Sequence, residues 1–258
     1  MKIRRLLPTF GGIFLTILAL DSSGTTASVA LINEYITIGE ITINAQSEKR
    51  KTHSEILLPM IDQLFSFTGM DISNVDYIAC TNGPGSFTGL RIGAATAKGL
   101  SRGIGKPVIA VPTLDAMAYN IVISEPGFLI VPLMDARRSQ VYTALYKWKG
   151  NVLVRHSDYI AESIENVLKT LASIPISKTY TQIVFLGDGV PIHQETIINS
   201  GLPCTFALPH QNRQRAASVG ICAFHLAAAG CFCNEEDFPL LYIRKPQAER
   251  ERDERSEK

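Results

Sequence analysis

Apolar residues fall along the chain in short runs whose period changes, and the changes mark the elements. Leu15 to Leu20 is an apolar run ending in Asp21, and a polar turn from Asp21 to Thr26 leads to two further β-rich runs, Ala27 to Ile32 and Ile36 to Ile43. Short apolar or alternating runs bounded by turn formers read as strands, so the opening is a three-stranded meander. Helical spacing then predicts a helix around Ser54 to Phe67, a short strand at Tyr77 to Cys80, a loop at Thr81 to Gly85 and a helix from about Ser86 to Gly103. A strand at Val108 to Val111 and a helix at Leu114 to Ile123 follow.

The order then begins again. Phe128 to Met134 is an apolar strand ending in Asp135, and Gln140 to Trp148 and Val152 to Tyr159 read as two more strands. Two β-β-β openings, each with an Asp at the end of its first strand, form a weak internal repeat and point to a duplicated architecture divided near residue 124. The second half continues with a helix near Ala161 to Ala172, a strand at Gln182 to Leu186, a helix near Gln194 to Asn199 and a long helix near Ala216 to Ala229. Arg244 to Lys258 is dense in mixed charge and reads as a solvated, disordered tail.

Composition narrows the function classes. The 258 residues are 46% hydrophobic, enough for one large core or two modest ones, and the expectation is an ordinary soluble globular protein. A net charge of +1 gives no overall basic field to hold a phosphate backbone, so any RNA is expected to be gripped by a partner. The five cysteines are odd in number and none stands in a C-x-x-C spacing, which favours idle thiols in a reducing compartment. Met1 to Arg5 is basic and Leu6 to Leu20 largely apolar, which superficially resembles a signal peptide. Pro8, Gly11 and Gly12 interrupt the run and no small-x-small cleavage site precedes a polar start, so residues 1–13 read as an extension, with cytoplasmic residence and no membrane span.

Three segments carry candidate chemistry. The turn Asp21-Ser22-Ser23-Gly24-Thr25-Thr26 could bring an Asp toward a hydrated magnesium while hydroxyls and amides meet phosphate; equally, Asp, Ser and Gly are what any β-turn selects. In the segment Thr81 to Gly93, Gly83-Pro84-Gly85 forms a loop and Ser86 can cap the next helix. It lacks the Lys of a Walker loop. Gly89, Gly93 and Ala97 recur every four residues along that helix as a stripe without bulky side chains, which favours close approach of another backbone or helix, internal or from a partner. The third segment, His53 to Phe65, has apolar residues at Ile56, Leu57, Leu58, Met60, Ile61, Leu64 and Phe65, more than one helical face. The surplus suggests deeper burial or a subunit interface, and Pro59 a kink or a late helix start. His53 could be a ligand, although a His at a helix start is commonly an ordinary polar residue.

Taken together, ILALDSSGTTASVAL, HSEILLPMIDQLF, YIACTNGPGSFTGLRIGAATAKGLS, PVIAVPTLDAMA, VPLMDARRSQVYTALY and PLLYIRKPQAE resemble the TsaB (YeaZ) family in order and spacing, over about residues 15 to 250. The resemblance implies an α/β fold of two actin-like (ribonuclease-H-like, ASKHA) subdomains, with mixed five-stranded sheets flanked by helices. Their expected extents are 14–124 and 125–243, between the extension and a tail at 244–258. It implies a subunit of the bacterial tRNA threonylcarbamoyladenosine machine that dimerises with a catalytic TsaD-type paralogue and is joined by a TsaE-type ATPase, with tRNA met through the complex and homodimers as a further possibility. The interface expected from the two helices comprises His53, Leu57, Met60, Ile61, Leu64, Phe87, Gly89, Arg91, Gly93 and Ala97.

The paralogue carries a metal-binding His-x-x-x-His, and alignment places Thr113 and Met117 at those positions. Thr and Met are poor donors for iron or zinc, so no metal and no catalytic residue are expected, and the chain reads as a non-enzyme. The nucleotide site implied by the superfamily is Asp21, Ser22, Ser23, Asp135, Gly187 and Gly189, with bulky Arg137 and Arg138 where relatives carry a glycine-rich hairpin. Vestigial, weak binding of ATP or ADP is the expectation. The two arginines could also bind an anion or RNA phosphate, although adjacent arginines in such a turn are more commonly just solvated. The enzyme alternative is an ATP-dependent small-molecule phosphotransferase using Asp21. Protease activity has little support in the residues, since no G-x-S-x-G elbow, no H-E-x-x-H helix and no recognisable Cys nucleophile motif occurs.

Overall fold

A computed structural model of the chain describes residues 14–44, 52–123, 127–150, 152–174 and 180–244. The expected extension at 1–13, the division at residue 124 and the tail beyond Arg244 lie outside the described residues.

The first sheet has the strand order β3-β2-β1-β4-β5, from β1 (Ile17–Asp21), β2 (Thr26–Ile32), β3 (Thr37–Asn44), β4 (Tyr77–Gly83) and β5 (Val108–Pro112). β1 is central, antiparallel to β2 and parallel to β4, and every one of its residues is buried. A strand covered on both faces needs apolar side chains on both, which is why this run is continuous rather than alternating. Leu18 and Leu20 point toward helices α1 (His53–Thr68) and α2 (Phe87–Ile104), whereas Ile17 and Ala19 point to the opposite face.

α1 begins where Glu55 accepts a 2.6 Å hydrogen bond from the Thr52 amide and ends at Gly69 in a left-handed conformation. Pro59 lies within the helix and neither delays its start nor ends it. The expected interface residues Leu57, Met60, Ile61 and Leu64 require correction: they are only 1–4% exposed and form the first core with β1, β2 and β4. The surplus of apolar residues divides between that core and an outward set, of which Leu58 is 54% and Phe67 77% exposed.

The second sheet repeats the first, as β6 (Phe128–Asp135) flanked by antiparallel β7 (Gln140–Thr143) and parallel β11 (Gln182–Leu186), with β10 (Ile160–Ser163) and β12 (Cys204–Phe206) at the edges. It holds seven strands rather than the expected five. The run Gln140 to Trp148 breaks after Thr143 and resumes as β8 (Tyr146–Lys149), paired with β9 (Val152–Arg155). At the break, Leu145 turns its amide to the Ser157 hydroxyl and its carbonyl to the His156 amide. Residues 161–163, expected to start a helix, instead pair with β7 as part of β10, and α4 (Ile164–Ser173) follows, capped by Ser163.

α4 and α5 (Val190–Asn199) cover the outer face of this sheet. Its inner face packs on α3 (Thr113–Ala118), whose Leu114, Met117 and Ala118 belong to this core while Ala116 belongs to that of the first sheet. α6 (Ala216–Ala228) comes from the second half of the chain yet packs against the first sheet, with Val219, Ala223 and Phe224 over Ile17, Ala19 and Ala79. The layers therefore run α1/α2, first sheet, α3/α6, second sheet, α4/α5. Among the described residues no helix is long and apolar enough to cross a membrane.

Candidate functional site

The duplicated sheets present their two corresponding hairpin turns, Ser22–Thr25 after β1 and Ala136–Ser139 after β6, to a shared cleft of about 310 Å³. Its walls include Ser23, Gly24 and Thr25 from the first turn, Gly85, Ser86 and Phe87 at the start of α2, Asp135, Arg137 and Asp188 from the second half, and Leu241 to Arg244. That volume is near the lower limit for small-molecule sites, roughly 300 Å³.

The first turn is built around Asp21. Its Oδ1 accepts the Ser23 amide at 2.8 Å and the Ser23 hydroxyl at 2.7 Å, and its Oδ2 has no hydrogen-bond partner. The carboxyl group is 1% exposed; burial pushes its pKa up to about 6, against the opposing pull of those two bonds. The Ser22 hydroxyl donates to the Gly89 carbonyl at 2.9 Å, and the Ser86 amide donates to the Ser23 carbonyl at 2.6 Å.

This turn is what the glycine stripe approaches. A methyl group on Gly89 would lie 2.0 Å from the Ser22 carbonyl oxygen, and one on Gly93 2.5 Å from the Ser22 hydroxyl and 3.1 Å from the Cys80 sulfur. Gly89, Gly93 and fully buried Ala97 therefore face their own sheet, which corrects their assignment to a partner interface. Of the residues expected on α2 for that role, Phe87 and Arg91 are exposed, with the Arg91 guanidinium 4.0 Å from the Phe87 ring centre. His53 is partly buried at the start of α1, and burial pulls its pKa below the usual imidazole value.

On the second lip the Asp135 amide donates to Asp188 Oδ1 at 3.1 Å, and Asp135 Oδ1 accepts the Arg137 amide at 2.8 Å. Burial raises the pKa of Asp188, with the charge of Asp135 adding to the effect and the Asp135 amide and Arg213 opposing it. Arg137, Arg138 and Ser139 have φ of +65°, +54° and +56°, three consecutive side-chain-bearing residues in the left-handed region. Bulky residues thus follow the backbone path that glycine would follow without strain. The Arg137 side chain is 86% exposed, 3.8 Å from Asp135.

Of the six residues expected to hold nucleotide, the cleft wall includes only Ser23 and Asp135. Asp21, the last residue of β1, and Ser22, the first of the turn, are each 1% exposed and do not reach the cleft wall. Gly187 and Gly189 clip their loop onto β6: a methyl on Gly187, at φ +114°, would lie 2.1 Å from the Leu133 carbonyl oxygen, which the Gly189 amide binds at 3.0 Å. Sequence reasoning missed Asp188, although it stands between those two glycines, and it missed the strap Leu241 to Arg244, which has no periodicity to announce it.

The positions aligned with the paralogue's metal-binding histidines are unsuited to a transition metal in their surroundings as well as their chemistry. Thr113 and Met117 are 0% and 1% exposed, and Met117 is part of the apolar packing around α3. Between them Asp115 accepts the Tyr146 hydroxyl at 2.6 Å and the Tyr159 hydroxyl at 2.8 Å. Among the described residues no group of three or more His, Cys, Asp or Glu side chains is placed to hold a metal ion.

Comparison with known proteins gives this geometry a setting. Residues 38–249 match the family described as TsaD: tRNA N6-adenosine threonylcarbamoyltransferase. The tRNA threonylcarbamoyladenosine biosynthesis protein TsaB of Bacillus subtilis is 32% identical over 183 residues, 71% of this chain and 75% of that protein. The protein of the same name from Haemophilus influenzae is 42% identical over 129 residues, half of this chain, and the match spans about half (52%) of that relative's length. The solved structure of YeaZ from Pseudomonas aeruginosa superposes with a TM-score of 0.70 at 25% identity, covering 88% of this chain and 99% of that one.

Proposed function

The chain belongs to the TsaB family, within the wider family described by the threonylcarbamoyltransferase, and from that membership we propose that it serves biosynthesis of threonylcarbamoyladenosine in tRNA as a non-catalytic subunit. The observation that carries the reading is the B. subtilis relative, matched across three quarters of its length and named for that pathway. The chemistry of the chain supports the non-catalytic part. Asp21, on which a phosphotransferase reading would depend, is buried and bonded to Ser23, and Thr113 and Met117 offer no metal site.

In this reading the chain pairs with a TsaD-type catalytic paralogue, and a TsaE-type ATPase and tRNA join through the complex. The partner surface is the outward side of α1 and α2, where Leu58, Phe67, Phe87 and Arg91 remain exposed after the core has taken Leu57, Met60, Ile61 and Leu64. The same surface can serve self-association. Any nucleotide in the cleft is held weakly, because Asp21 is withdrawn from the wall and the second turn carries Arg137 and Arg138 in place of glycine.

The test is size-exclusion chromatography with light scattering on this chain alone and with the catalytic paralogue of its own organism, followed by a tRNA-modification assay. A heterodimer, with modification dependent on both chains, is the expected result. Failure to associate, together with ATP turnover by this chain alone that is lost in Asp21→Ala, would replace the reading with a phosphotransferase.

A further inference from the structure

We propose that the segment Leu241–Arg244 is a releasable clasp across the cleft, joining its two lips, and that its release both opens the cleft and relaxes the turn Ala136–Ser139. The inference goes beyond the proposed function, whose partner surface lies on α1 and α2, and rests on the weak nucleotide site of that reading only for why opening would matter.

The strap springs from a buried anchor. Phe238 is 6% exposed and, with Leu240, packs into the core of the first sheet. Beyond it the chain is neither helix nor strand and touches both lips in turn. On the first, Asn82 Nδ2 donates to the Pro239 carbonyl at 3.2 Å and the Leu241 amide donates to the Asn82 carbonyl at 2.8 Å. The Leu241 carbonyl oxygen lies 2.2 Å from where a methyl on Gly83 would stand, so that residue's lack of a side chain permits the approach. The Tyr242 ring lies 5.4 Å from that of Phe87, and its hydroxyl accepts from Arg91 Nε at 3.4 Å. On the second lip, Arg244 donates to the Ala136 carbonyl at 3.1 Å.

That last contact falls at the start of the strained turn. Left-handed conformations at Arg137, Arg138 and Ser139 persist only where the surroundings hold them. The hairpin contributes its own bonds, Ala136 amide to Gln140 carbonyl and Gln140 amide to Arg137 carbonyl, and Arg244 adds a constraint from outside it. A segment fixed by a few partly exposed bonds opens more readily than the sheets beneath it. With the strap away, the wall that Leu241 to Arg244 supply is gone and the two exposed arginines are free to move.

Hydrogen–deuterium exchange on the full chain tests this with Arg244→Ala and Tyr242→Ala made separately. If Leu241–Arg244 opens as one unit, loss of either contact loosens both, so each variant should exchange about tenfold faster both at Leu241, whose amide bonds to Asn82, and at 136–140, while β1 and α6 stay as slow as in the unmodified chain. Arg244→Lys, which keeps a cationic donor, should restore most of the protection. Acceleration confined to the lip that lost its contact, or spread evenly through β1 and α6, would overturn the proposal. Neither outcome depends on whether the catalytic paralogue binds.

Discussion

Asp21→Asn should stabilise the protein, and by an amount that grows with pH. The native carboxyl group titrates near 6 instead of 3.8 because burial disfavours its charged form. A folded-state pKa above the unfolded one means that the native state holds the proton more tightly, so stability falls as pH rises from 3.8 to about 6, and the whole penalty is present above that. A shift of about two units corresponds to roughly 3 kcal/mol, of which about 2 kcal/mol develops between about pH 4.5 and about pH 7.5. Asparagine retains an oxygen to accept from the Ser23 amide and hydroxyl, has nearly the same shape and carries no charge. The stability of the variant minus that of the parent should therefore rise by about 2 kcal/mol over that interval, or roughly 4–8 °C in melting temperature. Urea unfolding followed by circular dichroism at several pH values measures the difference, and any constant offset from the altered hydrogen bonds cancels. A difference independent of pH, or one that shrinks as pH rises, would refute the claim that a buried charge is tolerated at this position.

Gly93→Leu should destabilise the chain itself by about 3 kcal/mol or more through collision with Ser22 and Cys80, seen as a lowered melting temperature before any partner is added. Leu64→Ala should cost about 2–5 kcal/mol while leaving paralogue affinity of the folded protein unchanged. Phe67→Ser should change stability by less than about 0.5 kcal/mol yet weaken that affinity, as calorimetry would record. Tyr146→Phe removes a donor from buried Asp115, whose pKa burial already raises, so it should destabilise by about 1–3 kcal/mol, more at pH 8 than at pH 5 in thermal melts.

Much of this architecture was legible in the residue order, because its information is local. The run ending in Asp21 and the similar run ending in Asp135 are near-continuous apolar segments of the kind a doubly covered central strand requires, and both are central. The glycine stripe on α2 announced a close neighbour, but that neighbour, Ser22, lies about seventy residues earlier and nothing in helical spacing names it. The same blindness put Leu57, Met60, Ile61 and Leu64 at an interface: an excess of apolar positions reveals how much surface is covered, not by whom. The break after Thr143 interrupts no pattern, since apolar residues continue through it. The strap lies in PLLYIRKPQAE, which stood out only by family resemblance; its place at the cleft was hidden for the opposite reason, since it has no repeating pattern, only individual contacts with Asn82, Phe87, Arg91 and Ala136.

The return of α6 to the first sheet has a consequence for synthesis. Strands β1 to β5 leave the ribosome long before residues 216–228, and until that helix arrives the face carrying Ile17, Ala19, Ala30, Ile32 and Ile109 has only short α3 and its C-cap, through Ala116 and Tyr119, to pack on it. The amino-terminal half therefore cannot complete its core during its own translation, and it waits, with an apolar sheet face open, while roughly a hundred further residues are added at about 5–20 per second. A nascent chain halted before Ala216 should be held by chaperones or lost to aggregation, whereas one released just beyond Leu240 carries the residues described as packing on the first sheet.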